Sequence, residues 1–203
     1  MNVELSPKVE ALFLAVDALL SEGGDINHLT VAQIAERAGI GKGTVYEYFL
    51  SKEELLGAAI VYRISAICQK VRGEMKKADD LESMIYCLLD AIDHKVSEKA
   101  TLLKVVNIIT DNSPISREIE RIALEHSNDT CMPECILDVL LGKAAEITGH
   151  SHAGRPLSYT KLSVAAKLLA YTMFGMTPYE DWEYDAKAMR QQVCAGIMRE
   201  LGA

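Results

Sequence analysis

Aromatic residues are scarce in this chain: Phe, Trp and Tyr make up 6% of 203 residues, and there is a single Trp. A core built without them has to be aliphatic, and the 49% of hydrophobic residues suffices for one core, or for one core and a small head. Cysteines are few and scattered, at Cys68, Cys87, Cys131, Cys135 and Cys194. An odd number so spread argues against a disulfide scaffold and for reduced thiols in a cytosolic protein. No apolar run reaches the length of a membrane span, and no basic stretch precedes an apolar one as in a secretion signal. The expectation is a soluble, cytoplasmic protein with no membrane partner. Also missing are a nucleophile-base pair, a glycine-rich phosphate loop behind a strand, a metal tetrad and paired carboxylates in a local motif. No catalytic residue, metal site or cofactor is therefore expected, and the chain does not read as an enzyme. It contains no internal repeat and no low-complexity segment.

What is present is concentrated between Thr30 and Leu56, TVAQIAERAGIGKGTVYEYFLSKEELL. Thr30 with Gln33 has the spacing of a capping box, in which each side chain satisfies an orphan backbone N–H at a helix start. The spacing predicts a helix from Val31 that stops by Ala38, because Gly39 can take the left-handed conformation needed just beyond a helix end. A second short helix opens at Gly41 or Lys42. It places Val45 and Phe49 four apart on one face, toward Val31, Ile34 and Ala35 of the first. Ser51 with Glu54 is a second capping box, at the start of a long helix with Lys52 in its first turn.

Two short helices on a tight turn are a helix-turn-helix, and they leave Lys42, Gly43, Thr44, Tyr46, Glu47 and Tyr48 outward on the second. Gly43 permits close approach of a phosphate backbone, and Thr44, Tyr46 and Tyr48 offer hydrogen-bond donors to it. Lys52 adds a positive charge at the N-terminus of the next helix. The segment resembles the DNA-binding domain of the TetR family of bacterial transcriptional regulators. The resemblance rests on the Thr-capped helix, the Ala-Gly turn, the Lys-Gly-Thr-x-Tyr-x-Tyr-Phe run and the Ser-Lys-Glu-Glu-Leu start of the next helix, and it covers about residues 5 to 65. It implies a DNA-binding head, a larger body that binds a small molecule and forms a homodimer, and repression relieved by the ligand. Carried over by position, Thr30, Lys42, Thr44, Tyr46, Tyr48 and Lys52 would touch DNA. Gly41 stands where the family often has Ser, and Glu47 where a neutral or basic residue is commoner.

Charge pulls the other way. The whole chain carries −8, and within residues 1–55 only Lys8, Arg37, Lys42 and Lys52 face nine acidic residues, a balance of −5. An acidic head repels a polyanion on average, but contacts are local, and Lys42 and Lys52 fall on the DNA side of the motif. The competing reading is a helical ligand- or protein-binding module whose helix-turn-helix head does not bind DNA.

The rest of the chain is helical in pattern, so the fold class is all-α. Residues 1–50 form a three-helix helix-turn-helix head, and residues 51–203 form a helical ligand-binding and dimerisation body, linked by the long helix 51–77. Ser6 and Pro7 open helix 1, whose stripe Val9, Leu12, Phe13, Val16, Leu19 and Leu20 roofs the head. Asp79 or Asp80 caps a helix carrying Met84, Ile85, Leu88, Leu89, Ile92 and Val96. The run Leu102 to Ile109 is apolar on nearly every side and belongs at the centre of the body. Ser113-Pro114 opens another helix with Ile115, Ile119, Ile122 and Ala123 inward; after a break at 127–133, Ile136 to Ile147 resume the pattern. GHSHAGRP, from Gly149 to Pro156, reads as a loop.

Two helices close the chain, about 159–176 and 182–201. The first offers Leu162, Ala165, Ala166, Leu169, Ala170 and Met173, the second Met189, Val193, Ile197 and Leu201. Such faces could pair across a two-fold axis as a four-helix bundle or serve as ordinary core, and the resemblance favours the homodimer. Tyr62, Met84, Tyr86, Cys87, Tyr171, Met173 and Phe174 are candidates to line a cavity for an apolar or aromatic effector. Cys131 and Cys135, with His126 nearby, read as plain core positions rather than a metal or thiol sensor, and His150 and His152 as a solvated loop. The partners expected are therefore a double-stranded DNA operator, an unidentified small-molecule effector and a second copy of the chain.

Overall fold

The computed structural model describes residues 5–96, 113–125, 133–149, 157–176 and 185–202. All regular elements among the described residues are helices: α1 (Pro7–Ser21), α2 (Val31–Arg37), α3 (Lys42–Tyr48), α4 (Lys52–Met75), α5 (Leu81–Val96), α6 (Pro114–Glu125), α7 (Pro133–Thr148), α8 (Leu157–Met176) and α9 (Ala186–Leu201). The apolar run 102–109, the expected break apart from Pro133, where α7 begins, and His126, Cys131, His150 and His152 lie outside the described residues, as do the side chains of Cys135 and Phe174.

The helix ends follow the capping chemistry. Ser6 accepts from the Val9 N–H with Pro7 at the first helical position. Thr30 and Gln33 form the reciprocal box. Beyond Ala38, Gly39 has φ +69°, and the N–H groups of Gly39 and Ile40 donate to the carbonyls of Glu36 and Ala35, which satisfies two otherwise orphan acceptors. At α4 the box is displaced by one residue. Ser51 Oγ accepts from the Glu54 N–H at 3.0 Å, but the Glu54 carboxylate accepts from the N–H of Leu50, at 2.6 Å. Asp80, rather than Asp79, caps α5 by accepting from the Ser83 N–H at 2.7 Å. That bond holds the Asp80 carboxyl below its ordinary pKa.

The chain divides into two compact units: residues 1–66 with 100–132, and residues 67–99 with 133–203. The boundary falls inside α4. In the first unit, Leu12, Phe13 and Val16 of α1, Ile34 of α2, Val45 of α3, and Leu55, Leu56 and Ile60 of α4 share one core. Phe13 stacks near Phe49 and Tyr62, with ring centroids 6.0 and 5.1 Å away. Phe49 is buried in the same core as Val45, as expected, although it stands just past the helix as its C-cap in extended conformation, φ −132° and ψ 131°.

Helix α6 belongs to this unit, its Ile115, Ile119 and Ile122 completing the head's core. Expected inward with these, Ala123 is only half-buried, while Ser116 is buried. Gly57 of α4 lies close against α6, since a Cβ there would be 3.0 Å from the Glu118 Cβ and 3.3 Å from its backbone. Arg121 of α6 binds Glu118 and Glu125 on its own helix, at 2.8 Å each, and approaches Glu54 at 3.5 Å.

In the second unit, α5, α8 and α9 pack on one another, with α7 against α5 and α8. Met75, Ile85, Leu89, Leu140, Val164, Ile197 and Leu201 form its core. A polar cluster sits beside it. Tyr171 donates to Asp93 at 2.7 Å, Arg190 pairs with both Asp90 and Asp93, and its guanidinium lies over the Tyr86 ring at 5.6 Å. Burial alone would lower the pKa of Arg190, but the two carboxylates raise it above the ordinary arginine value. Ile147, expected to continue the α7 stripe, is instead exposed.

Candidate nucleic-acid interface

Seven residues make α3, and Val45 is its one buried side chain, 1% exposed. The remaining residues face outward for a geometric reason. At about 100° per residue, Gly43 and Glu47 each fall within about 20° of the direction opposite Val45. Lys42 and Tyr46 lie on one flank of that line, Thr44 and Tyr48 on the other. The exposed face thus has a centre occupied by Gly43 and Glu47 and two flanks that each carry hydrogen-bond donors. Tyr46 and Tyr48 are 50% and 40% exposed, which leaves both phenols available. A Cβ added at Gly43 would meet nothing within 4 Å.

The flanking sites are more committed than the sequence suggested. The Thr30 hydroxyl accepts from the Gln33 N–H at 3.3 Å and donates to Gln33 Oε1 at 2.8 Å. A phosphate oxygen only accepts, so Thr30 would have to redirect its proton from Gln33 to bind one. Lys52 Nζ donates to the carbonyl of Asn27 at 3.1 Å, which fixes the ammonium beside the loop before α2 and leaves two N–H donors. Nothing in the sequence marks Asn27 for this role. Leu50, just past the α3 C-cap Phe49, is 90% exposed. Sequence reasoning passed over it, although an apolar residue outside the helical stripe was a legible signal.

Four of the nine head acids are turned to internal use. Glu22 pairs with Arg37, Asp17 with Arg63, and Asp25 with His28 at 3.0 Å, while Glu54 holds the Leu50 N–H. Glu10, Glu36, Glu47 and Glu53 have no side-chain hydrogen-bond or ion-pair partner among the described residues, and of these Glu47 is the one on α3.

The candidate effector residues are dispersed. Tyr62 packs in the first unit's core against Phe13. Met84 and Tyr171 are buried in the second unit, where Tyr86 and Cys87 are half-buried. Met173 lies on the outer face of α8, 59% exposed. Burial pushes the thiols of Cys87 and Cys194 above the ordinary cysteine pKa, so both stay protonated at neutral pH. No cluster of three or more metal-binding side chains occurs among the described residues, and no helix there is long and apolar enough to cross a membrane.

The class defined by this fold and this face is an all-α protein with an N-terminal helix-turn-helix head. Residues 18–59 match the family of bacterial regulatory proteins, tetR family. The match covers the helix-turn-helix head, which is thus similar to that of the tetR family of bacterial regulatory proteins. A curated relative, the uncharacterized HTH-type transcriptional regulator YvdT of Bacillus subtilis (strain 168), is 27% identical over 90 residues. Those residues are 44% of this chain and 46% of that protein, so the match spans less than half of its length. Among solved structures, the fatty acid degradation regulator FadR from Bacillus halodurans superposes with a TM-score of 0.67 at 21% identity, covering 98% of this chain and 97% of that one. FadR from Bacillus subtilis, in complex with stearoyl-CoA, gives 0.66 at 18% identity over 93% of this chain and 96% of that one. At these identities the likeness establishes the fold.

Proposed function

We propose that this protein is a ligand-responsive repressor that binds a palindromic operator as a homodimer. Residues 1–50 would act as the DNA-binding domain and residues 51–203 as the ligand-binding and dimerisation domain. The observation that carries the reading is the outward face of α3, where Lys42, Thr44, Tyr46 and Tyr48 flank an open centre while Val45, the helix's aliphatic side chain, turns inward. Thr30 and Lys52 extend the phosphate-binding edge. The test is electrophoretic mobility and footprinting on the protein's own promoter region. Two recognition helices related by a two-fold axis protect an inverted repeat with half-sites one or more helical turns apart. Protection of a direct repeat or a single half-site rules the dimer out, and no shift at all favours the module that does not bind DNA.

Support for a second copy comes from α8. Leu162 and Leu169 are 70% and 51% exposed, and with Ala166 and Ala170 they fall within about 100° of arc, a stripe with small residues at its middle. Small side chains let a symmetry-related helix approach closely. Of the α9 residues considered for the same face, Ile197 and Leu201 are buried in the chain's own core, so α8 supplies the apolar part. Leu169→Glu should convert the dimer to monomer in sedimentation and leave the helical content unchanged; an unaltered dimer places the interface elsewhere.

For the effector we propose an apolar or aromatic small molecule held in the second unit, with Met84, Tyr86, Cys87 and Tyr171 as candidates. Acyl-CoA thioesters are the first class to screen, because one of the structural neighbours was solved with stearoyl-CoA.

A further inference from the structure

We infer that Glu47 reads a cytosine in each half-site, and so sets the sequence preference of the head. This rests on the DNA-binding reading above and adds to it the identity of one base.

The position of Glu47 decides what it can meet. It lies at the centre of the face opposite Val45, one helical turn beyond Gly43, whose missing side chain leaves open space in front of it. The flanks carry Lys42 and Tyr46 on one side and Thr44 and Tyr48 on the other, which is where the walls of a major groove place their phosphates. The centre of the face reaches the floor, where only base edges are exposed. A carboxylate accepts and cannot donate, and the donors on that floor are the amino groups of cytosine and adenine. Adenine sets its amino group beside the N7 acceptor, which repels a carboxylate, whereas cytosine sets its own beside a C–H. Cytosine is therefore the base that Glu47 satisfies.

A charge without a partner in the free protein is also the expected form of such a residue. Asp17, Glu22, Asp25 and Glu54 are tied to side chains or backbone of the same unit. Glu47 shares with Glu10, Glu36 and Glu53 the lack of a side-chain partner among the described residues, but it alone of these lies on the outward face of α3, where an uncompensated charge meets DNA. The cost of that charge falls on every sequence lacking the amino group, so it discriminates by rejecting the wrong base as well as by binding the right one.

The experiment is selection from a random duplex library with the full-length wild-type protein, Glu47→Gln and Glu47→Ala, followed by titration on duplexes altered at one symmetric pair. Wild type is expected to enrich an inverted repeat with one strongly preferred C·G pair per half-site, worth about 5- to 30-fold over the other bases. Glu47→Gln keeps the rest of the site and moves that position toward adenine, which glutamine binds through N6 and N7. Glu47→Ala loses the preference at that position alone. The inference is overturned if all three proteins enrich the same motif with the same weighting. It is equally overturned if both variants bind every duplex more tightly by one common factor, since Glu47 then only repels phosphate. Failure of all three to enrich any sequence overturns the DNA-binding reading itself.

Discussion

Tyr48 shows how much a single atom on α3 can report. Its ring is 40% exposed on a flank of the helix, so its hydroxyl can serve DNA without serving the fold. Tyr48→Phe should therefore leave the melting temperature in place and weaken binding to all sequences alike by about 0.5 to 1.5 kcal/mol. Fluorescence anisotropy on specific and random duplexes measures this, and an unchanged affinity would show that the phenol does not meet the backbone. Thr30 offers the contrast, because both functions of its hydroxyl are engaged with Gln33. The outward residues of α3 and the Thr30–Gln33 box were legible in the sequence, since both follow from spacing within about four residues. The engagement of Lys52 with Asn27 was not, as a bond between residues 25 apart leaves no local pattern.

At the scale of elements, the close approach of α4 and α6 is the feature most open to test. A methyl carbon on Gly57 would sit 3.0 Å from the Glu118 Cβ and 3.3 Å from the α6 backbone, so it would have no flexible side-chain tip to displace. Gly57→Ala should destabilise the first unit by about 1 to 3 kcal/mol through overpacking, despite alanine's better helix propensity. Denaturant unfolding is the measurement, and a stabilised variant would mean that the two helices part easily. The α5 cap gives a pH test. Asp80 has a pKa below its unfolded value, so the stability it confers is present above the ordinary carboxylate range, near pH 4, and is lost as pH falls through the lowered folded value. Asp80→Asn keeps a capping oxygen without the charge, and its melting temperature relative to wild type should be lower at pH 7 and converge below about pH 3. A constant difference across that range would show that the Asp80 charge contributes nothing.

For the whole molecule, charge remains the most demanding constraint. The balance of −5 over residues 1–55 leaves Lys42 and Lys52 as the cations on the proposed DNA face, and Arg37 is held by Glu22. A dimer with two such lysines per subunit neutralises about four phosphates, and the slope of log affinity against log salt should be near −4. Titrations between low and physiological salt determine it. A slope near −8 would mean that further cations reach the DNA, while a slope near zero would leave no phosphate contacts to explain.

The elements and their ends are legible along the chain alone. Apolar spacing and caps specify α1 to α5 to within about two residues, because both act within a helical turn or two. Residues that face away from a buried stripe can be read off in the same way, so the candidate DNA face was visible before any fold was known. Which stripe meets which depends on packing between distant parts of the chain. Ile115, Ile119 and Ile122 were an inward face without an address until α6 took its place in the head's core. Ile197 and Leu201 could have served a second copy, yet they lie in the chain's own core, while Leu162 and Leu169 of α8 remain outside. Periodicity records that a face is apolar, and burial is indifferent to which apolar partner covers it. That choice is made by shape, at contacts such as Gly57 against Glu118, between residues far apart in the chain.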